Sequence, residues 1–346
     1  MKKFFTVAAS LILSAAMLTA CGSSAAPAAT TGAPETTAAA VTQAPETTEE
    51  TKSFNIAIVQ QLDHASLDEI RLAVEDELTK AAADKGFQVS YKEFNGQNDN
   101  TVLNQIGAQV VSDKYDAIIP IASLAAQCMV TAADGTNTPI IYAAVSDPAT
   151  AGLTDIPNVT GTSDALNTAF ILDMMLAAQP DVKTVGLLYS NSEANSQTPI
   201  AQAKEYLEQK GIAYIEKTGN STDEILTAAS SLVGRVEAVF TPTDNVVMAC
   251  EGAVAEILNQ AGIAHYTGAD SFVAAGAFTT SGVNYTELGT YTADMAVDIL
   301  LGGAVPEYHV MDGGIITVNT DTAETLGIDY SVFKTMANTV TEVTTK

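Results

Sequence analysis

Tyr115–Gln127 reads YDAIIPIASLAAQ, and Val236–Met248 reads VEAVFTPTDNVVM. Each is an apolar run that ends in small polar residues and then takes on helical spacing. Strand, polar turn, helix is the repeating unit of a parallel α/β sheet. The neighbours upstream correspond too. Asp84–Glu93 (DKGFQVSYKE) answers Glu208–Lys217 (EQKGIAYIEK), and both carry a Lys-Gly joint where a helix gives way to a strand. Glycine suits such a joint because it enters the left-handed region without steric penalty. Two similar α/β halves predict two similar lobes.

Outward from these stretches the alternation continues. Phe54–Gln60 (FNIAIVQ) reads as a β-branched strand, followed by a helix over Leu67–Lys85 that stops at Gly86. The spacing predicts helices over Thr101–Ser112 and Leu124–Ala133 and a strand at Pro139–Ala144. In the second half it predicts strands at Thr184–Tyr189, Ile212–Glu216 and Glu237–Phe240. Helices are expected over Gln202–Lys210, Thr222–Leu232 and, as one unit, Asn245–Gln260, with a strand opening at His265–Thr267.

In an open parallel sheet, ligands bind beyond the carboxyl ends of the strands. Those ends are Gln60–His64, Ala122–Gln127, Ser146–Pro148, Ser190–Ser196, Thr241–Asn245 and Gly268–Ser271, and none of them contains Lys or Arg. A phosphate, a sulfate or a polyanion is therefore a poor fit. An anionic group would rest on helix N-termini such as Ser123-Leu124 and Asn195-Ser196, where the dipole favours it. Asp63, Asp147, Asp244 and Asp270 suit an ammonium or sugar hydroxyls. A small zwitterion meets both conditions. The candidate ligand-binding residues are Gln61, His64, Ser123, Leu124, Gln127, Asp147, Asn191, Ser192, Asn195, Ser196, Asp244 and Asp270. Tyr142, Tyr189, Phe240, Phe272 and Tyr285 lie near the same ends and offer an apolar wall. Plainer readings exist. Asp244, Asp270 and Asn195 read equally as helix caps, and Asp147-Pro148 as a turn starter. His64, Gln61 and Gln127 read equally as solvated, and Glu193 reads as solvent-facing.

The composition sets outer bounds. The formal net charge of the 346 residues is −26, with only 15 Lys+Arg, which repels nucleic acid. No G-x-S-x-G elbow, P-loop or G-x-G-x-x-G motif follows a strand, so an enzyme is not expected. The three His and the scattered Cys show no zinc spacing, and neither a metal nor a cofactor is expected. Cys128 and Cys250 sit in apolar helix-like runs and read as buried thiols. At the start, Lys2-Lys3, an apolar Phe4–Leu18 and Leu18-Thr19-Ala20-Cys21 form a secretory signal over 1–21. Its ending resembles the bacterial lipobox, which makes Cys21 a lipidation site. Residues 22–53, nearly all Ala, Thr, Pro and Glu, read as a disordered tether.

Several motifs together resemble one family. They are Gln61–Asp68 (QLDHASLD), Ser146-Asp147-Pro148 with Ala151-Gly152-Leu153, Asn158–Asp164 (NVTGTSD), Tyr189–Ser196, Pro242–Asn245 (PTDN) and Gly282–Tyr285 (GVNY). In this order and spacing, over about residues 54–335, the chain resembles the type I periplasmic-binding-protein fold. The branch is that of ABC-transporter solute-binding lipoproteins of tryptophan and tyrosine uptake. It departs at Ala65, where Pro is usual, and in Ile121–Gln127, which lacks the usual Thr-Pro. The resemblance implies an α/β fold of two Rossmann-like lobes with parallel sheets joined by a three-crossing hinge. One lobe would be 54–162 plus 283–304 and the other 163–282 plus 305–335, with His309–Val318 returning to the second. It implies an extracytoplasmic, monomeric receptor anchored to the outer face of the cytoplasmic membrane, which hands a small amino acid, expected to be aromatic, to an ABC permease. A membrane-tethered sensory domain and a receptor for a nucleoside or small sugar stay open as alternatives.

Overall fold

The computed structural model describes residues 51–346. The signal peptide at 1–21, the lipidation site Cys21 and the tether as far as residue 50 lie outside the described residues.

The first lobe begins with β1 (Ser53–Gln60), α1 (Ala65–Lys85), β2 (Gln88–Asn95), α2 (Asn100–Asp113), β3 (Ala117–Ile121), α3 (Ser123–Ala132), β4 (Ile140–Tyr142) and β5 (Val159–Ser163). The chain then crosses to α4 (Thr168–Ala178), β6 (Thr184–Tyr189), α5 (Ala194–Lys210), β7 (Ala213–Thr218), α6 (Thr222–Leu232), β8 (Ala238–Thr241), α7 (Asn245–Met248), α8 (Glu251–Gln260), β9 (Ala264–Thr267), α9 (Asp270–Ala274) and β10 (Thr279–Gly282). It returns for α10 (Tyr285–Leu300) and β11 (His309–Val310). It crosses once more to β12 (Ile315–Asn319), α11 (Thr320–Leu326), a 3-10 turn at Ser331–Thr335 and β13 (Val340–Val343).

The first sheet has the order β11-β5-β4-β3-β1-β2 and the second β13-β12-β10-β9-β8-β6-β7. Every pairing is parallel except β10 with β12. Helices cover both faces, so inner strands carry unbroken apolar runs. Ile56, Ala57, Ile58 and Val59 of β1 are all fully buried. At the edges, β2 is largely exposed and β7 half-exposed, and both carry charged residues, Lys92 and Glu93 in β2 and Glu216 and Lys217 in β7.

α10 packs back on α1, which fixes its place in the first lobe although it follows the second lobe in sequence. Gly289 allows the close approach. A Cβ there would lie 2.6 Å from the carbonyl oxygen of Ile70 and 2.8 Å from Cβ of Ala73. Both obstacles are rigid, so the helices must separate to admit it. Gly289→Ala is expected to destabilise the protein by about 1–3 kcal/mol, read as a lower urea midpoint at unchanged slope.

Two boundaries differ from the sequence reading. His309 pairs with Thr162 in the first sheet, and Met311 N donates to Ser163 O at 2.9 Å. Only β12 of the His309–Val318 stretch belongs to the second sheet, so the third crossing falls at 312–314 and not at 305. The free edge of β5 needs a partner, and two residues of β11 supply it. The second lobe also runs past 335, because β13 pairs with β12. The single helix expected over Asn245–Gln260 is two, α7 and α8, broken at Ala249-Cys250. Restarting the helix lets buried Glu251 reach His265, with Oε1 and Nδ1 2.9 Å apart. Cys128 and Cys250 are buried free thiols.

Candidate ligand-binding cleft

The loops at the carboxyl ends of the two sheets meet, and Gln61 and His64 of the β1–α1 loop both bond across the seam. Gln61 is fully buried. Its Nε2 donates to Glu193 Oε1 across the lobes at 2.8 Å, and its Oε1 accepts from Leu124 N at 3.1 Å. Asn245 Nδ2 donates to the other carboxylate oxygen, Glu193 Oε2, at 2.6 Å. The amide orientation follows: Asn245 Oδ1 is the acceptor, so His64 Nε2, 3.0 Å away, donates. A neutral His64 then keeps Nδ1 as an acceptor, and that atom is buried with no partner. Burial lowers the His64 pKa, which keeps the ring neutral. Further clasps join Ser66 to Ser271, Ser146 to Thr243 at 3.1 Å, and Thr198 to Asp147 at 2.7 Å.

Behind the seam lies a crevice between the lobes. The first lobe contributes His64, Ser123, Ser146, Asp164 and Tyr285, among others, and the second Asn195, Thr243, Asp244, Asn245, Met248 and Phe272. With the lobes closed its volume is about 20 Å³, room for one or two waters. No residue lining it is Lys or Arg, yet two are buried carboxylates. Asp164 accepts from Ser146 Oγ at 2.8 Å and Tyr285 OH at 3.0 Å. Burial raises its pKa, against those hydrogen bonds. Asp244 accepts from Ser190 N, Ser196 Oγ and Val247 N at 2.7, 2.7 and 3.0 Å. Its carboxyl is also raised by burial. Glu193 is pushed up to about 7, by burial first and by the charge of Asp244 second. Buried carboxylates without a basic partner are costly, and a cation placed among them removes the cost.

A helix start lies on the first-lobe wall. α3 begins at Ser123, and its N-cap residue Ala122 has no side chain with which to cap it. Ala122 lies at φ 77, ψ 162, and Ala144, also lining the crevice, at φ 55. Such backbone costs about 1–3 kcal/mol per residue and collects where a site needs it. Leu124 N of the first turn already donates to Gln61 Oε1, and the remaining N–H groups of that turn make a suitable seat for a carboxylate.

Of the sequence candidates, His64, Ser123, Asn195 and Asp244 line the crevice. Gln61, Leu124 N and Ser196 stand directly behind it, in the bonds given above. Asp147 lies outside it, where it starts a turn at Thr150 and clasps Thr198. Asp270 lies in a neighbouring groove. Gln127 donates to Ala151 O, within its own lobe. Asn191 and Ser192, expected to face the cleft, are exposed. Asn191 Nδ2 donates to Thr218 Oγ1, and Ser192 N to Ser190 Oγ and Asn220 Oδ1. The turn after β6 spends these groups on itself. Glu193, expected in solvent, is buried at the seam. Tyr142 and Phe240 are core residues and Tyr189 OH donates to Glu216, whereas Phe272 and Tyr285 do reach the crevice. Sequence reading missed Asp164, Ser146 and Thr243 as site residues. Asp164 follows β5, and its signals are its place after the run Val159–Ser163 and in the motif Asn158–Asp164. Among the described residues no cluster of His, Cys, Asp or Glu could hold a metal ion, and no helix is long and apolar enough to cross a membrane.

Two lobes of parallel sheet, three crossings and a closed polar crevice between strand ends define a type I periplasmic binding protein. A family model for ABC transporter substrate binding proteins matches residues 55–339, and the chain belongs to that family. The family binds solutes for transport and is not an enzyme family, and its members work outside the cytoplasm. The "Tyrosine-binding protein" of Clostridioides difficile (strain R20291) is 32% identical over 290 residues, 81% of this chain and 82% of that one. Among solved structures, an ABC domain from Streptococcus pneumonia in complex with L-Trp is 29% identical, with a TM-score of 0.78 over 84% of this chain and 100% of that chain. The ligand-free, open structure of a substrate binding protein with adhesive properties from Clostridium difficile is 32% identical. It covers 85% of this chain and 100% of its own, with a TM-score of 0.63. The lower score at higher identity fits a difference in lobe opening.

Proposed function

We propose that this protein is a receptor for an aromatic L-amino acid, held at the membrane by lipidated Cys21 and delivering its ligand to an ABC permease. The observation that carries the reading is the charge pattern of the crevice: buried Asp164 and Asp244 and the bare acceptor His64 Nδ1, with no basic residue, beside a helix start whose own N-cap residue, Ala122, offers no capping group. An ammonium satisfies the first group and a carboxylate the second. The relatives named for tyrosine and bound to L-Trp support the aromatic side chain. Hinge opening admits the ligand, and its contacts to both lobes favour closure. Thermal melting with each of the twenty L-amino acids, adenosine, uridine and glucose at 1 mM tests this. A rise of about 5 °C or more with L-tyrosine or L-tryptophan is expected. No rise with any amino acid rejects the reading, and a rise with only a nucleoside or the sugar moves it to hydroxyl ligands.

A further inference from the structure

The crevice holds the two charged groups of an amino acid but, at about 20 Å³, leaves no space for an aromatic ring. A second interlobe space adjoins it. This groove has a volume of about 330 Å³ and shares one wall, Met248, with the crevice. Ser271 Oγ donates to Met248 Sδ at 3.3 Å and meets Ser66 of the other lobe, so these two contacts hold Met248 between the two spaces. Methionine is the side chain best suited to such a place, since three rotatable bonds let it swing aside at small cost. Beyond it the groove is walled by Ala65 and Glu69 of the first lobe, by Ala274 and Ala275 of the second, by Thr341 and Val343 of β13, and by Lys346. At its rim lies Asp270, mostly buried and held by backbone N–H groups of its own turn.

Resting on the amino-acid reading of the crevice, we infer that the ligand's side chain passes Met248 into this groove. There a ring with a polar N–H or O–H at its far edge donates to Asp270. Small apolar walls at Ala65, Ala274, Ala275 and Val343, with the carboxylates of Asp270 and Glu69 beside them, suit a ring that carries a polar N–H or O–H better than an aliphatic chain. A phenyl ring fills the same walls but leaves Asp270 without its donor, and sites built to hydrogen-bond a ligand group discriminate strongly against analogues lacking it. The inference also gives the C-terminal strand β13 a role: it closes the specificity groove.

Ala274 lines the groove and not the crevice. Ala274→Trp therefore fills the side-chain space and leaves the charged-group site intact. Titration calorimetry with L-tyrosine and L-tryptophan is expected to show at least a 30-fold loss of affinity relative to the unaltered chain. Thr341→Trp, entering from the opposite wall, serves if the first variant does not fold. Asp270→Asn is expected to weaken the better of these two ligands at least fivefold more than L-phenylalanine. Unchanged affinities in a folded groove-filling variant overturn the inference. If the unaltered chain binds no amino acid at all, it is the reading of the crevice that fails.

Discussion

Replacing Asp164 by Asn is expected to lower the affinity for the bound amino acid between about 30-fold and 3,000-fold, while the unliganded protein becomes more stable. The two effects have one cause. Asp164 is a buried carboxylate at the crevice with two hydroxyl donors and no positive partner. Without a cation its desolvation is a net burden on the fold, and burial raises its pKa accordingly. With the ligand's ammonium present it gains a charge-assisted partner away from water. Truncating one side of such a pair costs about 2–5 kcal/mol, and each 1.4 kcal/mol is tenfold in affinity. Asn keeps the size and can still meet Ser146 and Tyr285, so the cleft should not collapse. Calorimetric titration and a melting curve read the two signs separately. A merely structural Asp164 gives the opposite pattern, lower stability with affinity within threefold of the original. Asp244 is the less informative target, because it staples Ser190, Ser196 and Val247 together and its loss would damage the second lobe.

The second large effect is on pH dependence. Glu193 bridges the lobes through Gln61 and Asn245, and in the closed form its carboxyl sits at about 7 against an ordinary 4.5. The raised acid holds a proton that the unfolded chain gives up. Its contribution is fully present below pH 4.5 and is lost as pH rises through 7. The span corresponds to the order of 3 kcal/mol. Asp164 and Asp244, also raised by burial, act in the same direction. His64, lowered by burial, acts in the opposite one, stabilising above its ordinary 6.5 and not below. Glu193→Gln isolates the one group, since it retains a neutral side chain of the same length. The stability of the variant relative to the original should rise steadily between pH 5 and pH 7.5 in denaturant titrations. A difference that stays flat over that range excludes a protonated Glu193 in the seam. Ligand binding has the reverse sign. An ammonium near Asp244 and Glu193 favours the charged carboxylates, so affinity should fall as pH drops below 7.

The α/β character, the repeat of the two halves and most strands were legible because each depends on neighbours in sequence. β3 and β8 are apolar runs buried on both faces, and the Gly86 and Gly211 joints are local backbone requirements, both left-handed in the structure. β5 and β10 were less visible. Their VTGTS and TTSG sequences are polar, and they are strands only because neighbouring strands pair with them. Glu193 shows the same limit at the cleft. As one charge in a polar turn it reads as solvated, and it is buried by Asn245, 52 residues away, and by Gln61 from the other lobe, 132 residues away.

The sequence alone thus determined the alternation of elements, the two-lobed plan and a rim rich in amides, hydroxyls and acids without Lys or Arg, since period, turn chemistry and charge are properties of short segments. Tertiary structure alone decided which of those rim groups face the crevice, that Asp164 is a buried carboxylate there with hydroxyl donors and no positive partner, and that β11 returns to the first sheet. Those outcomes depend on contacts between residues more than a hundred positions apart, such as Tyr285 with Asp164 at a separation of 121. No local pattern encodes which distant side chain will satisfy, or leave bare, a buried polar group.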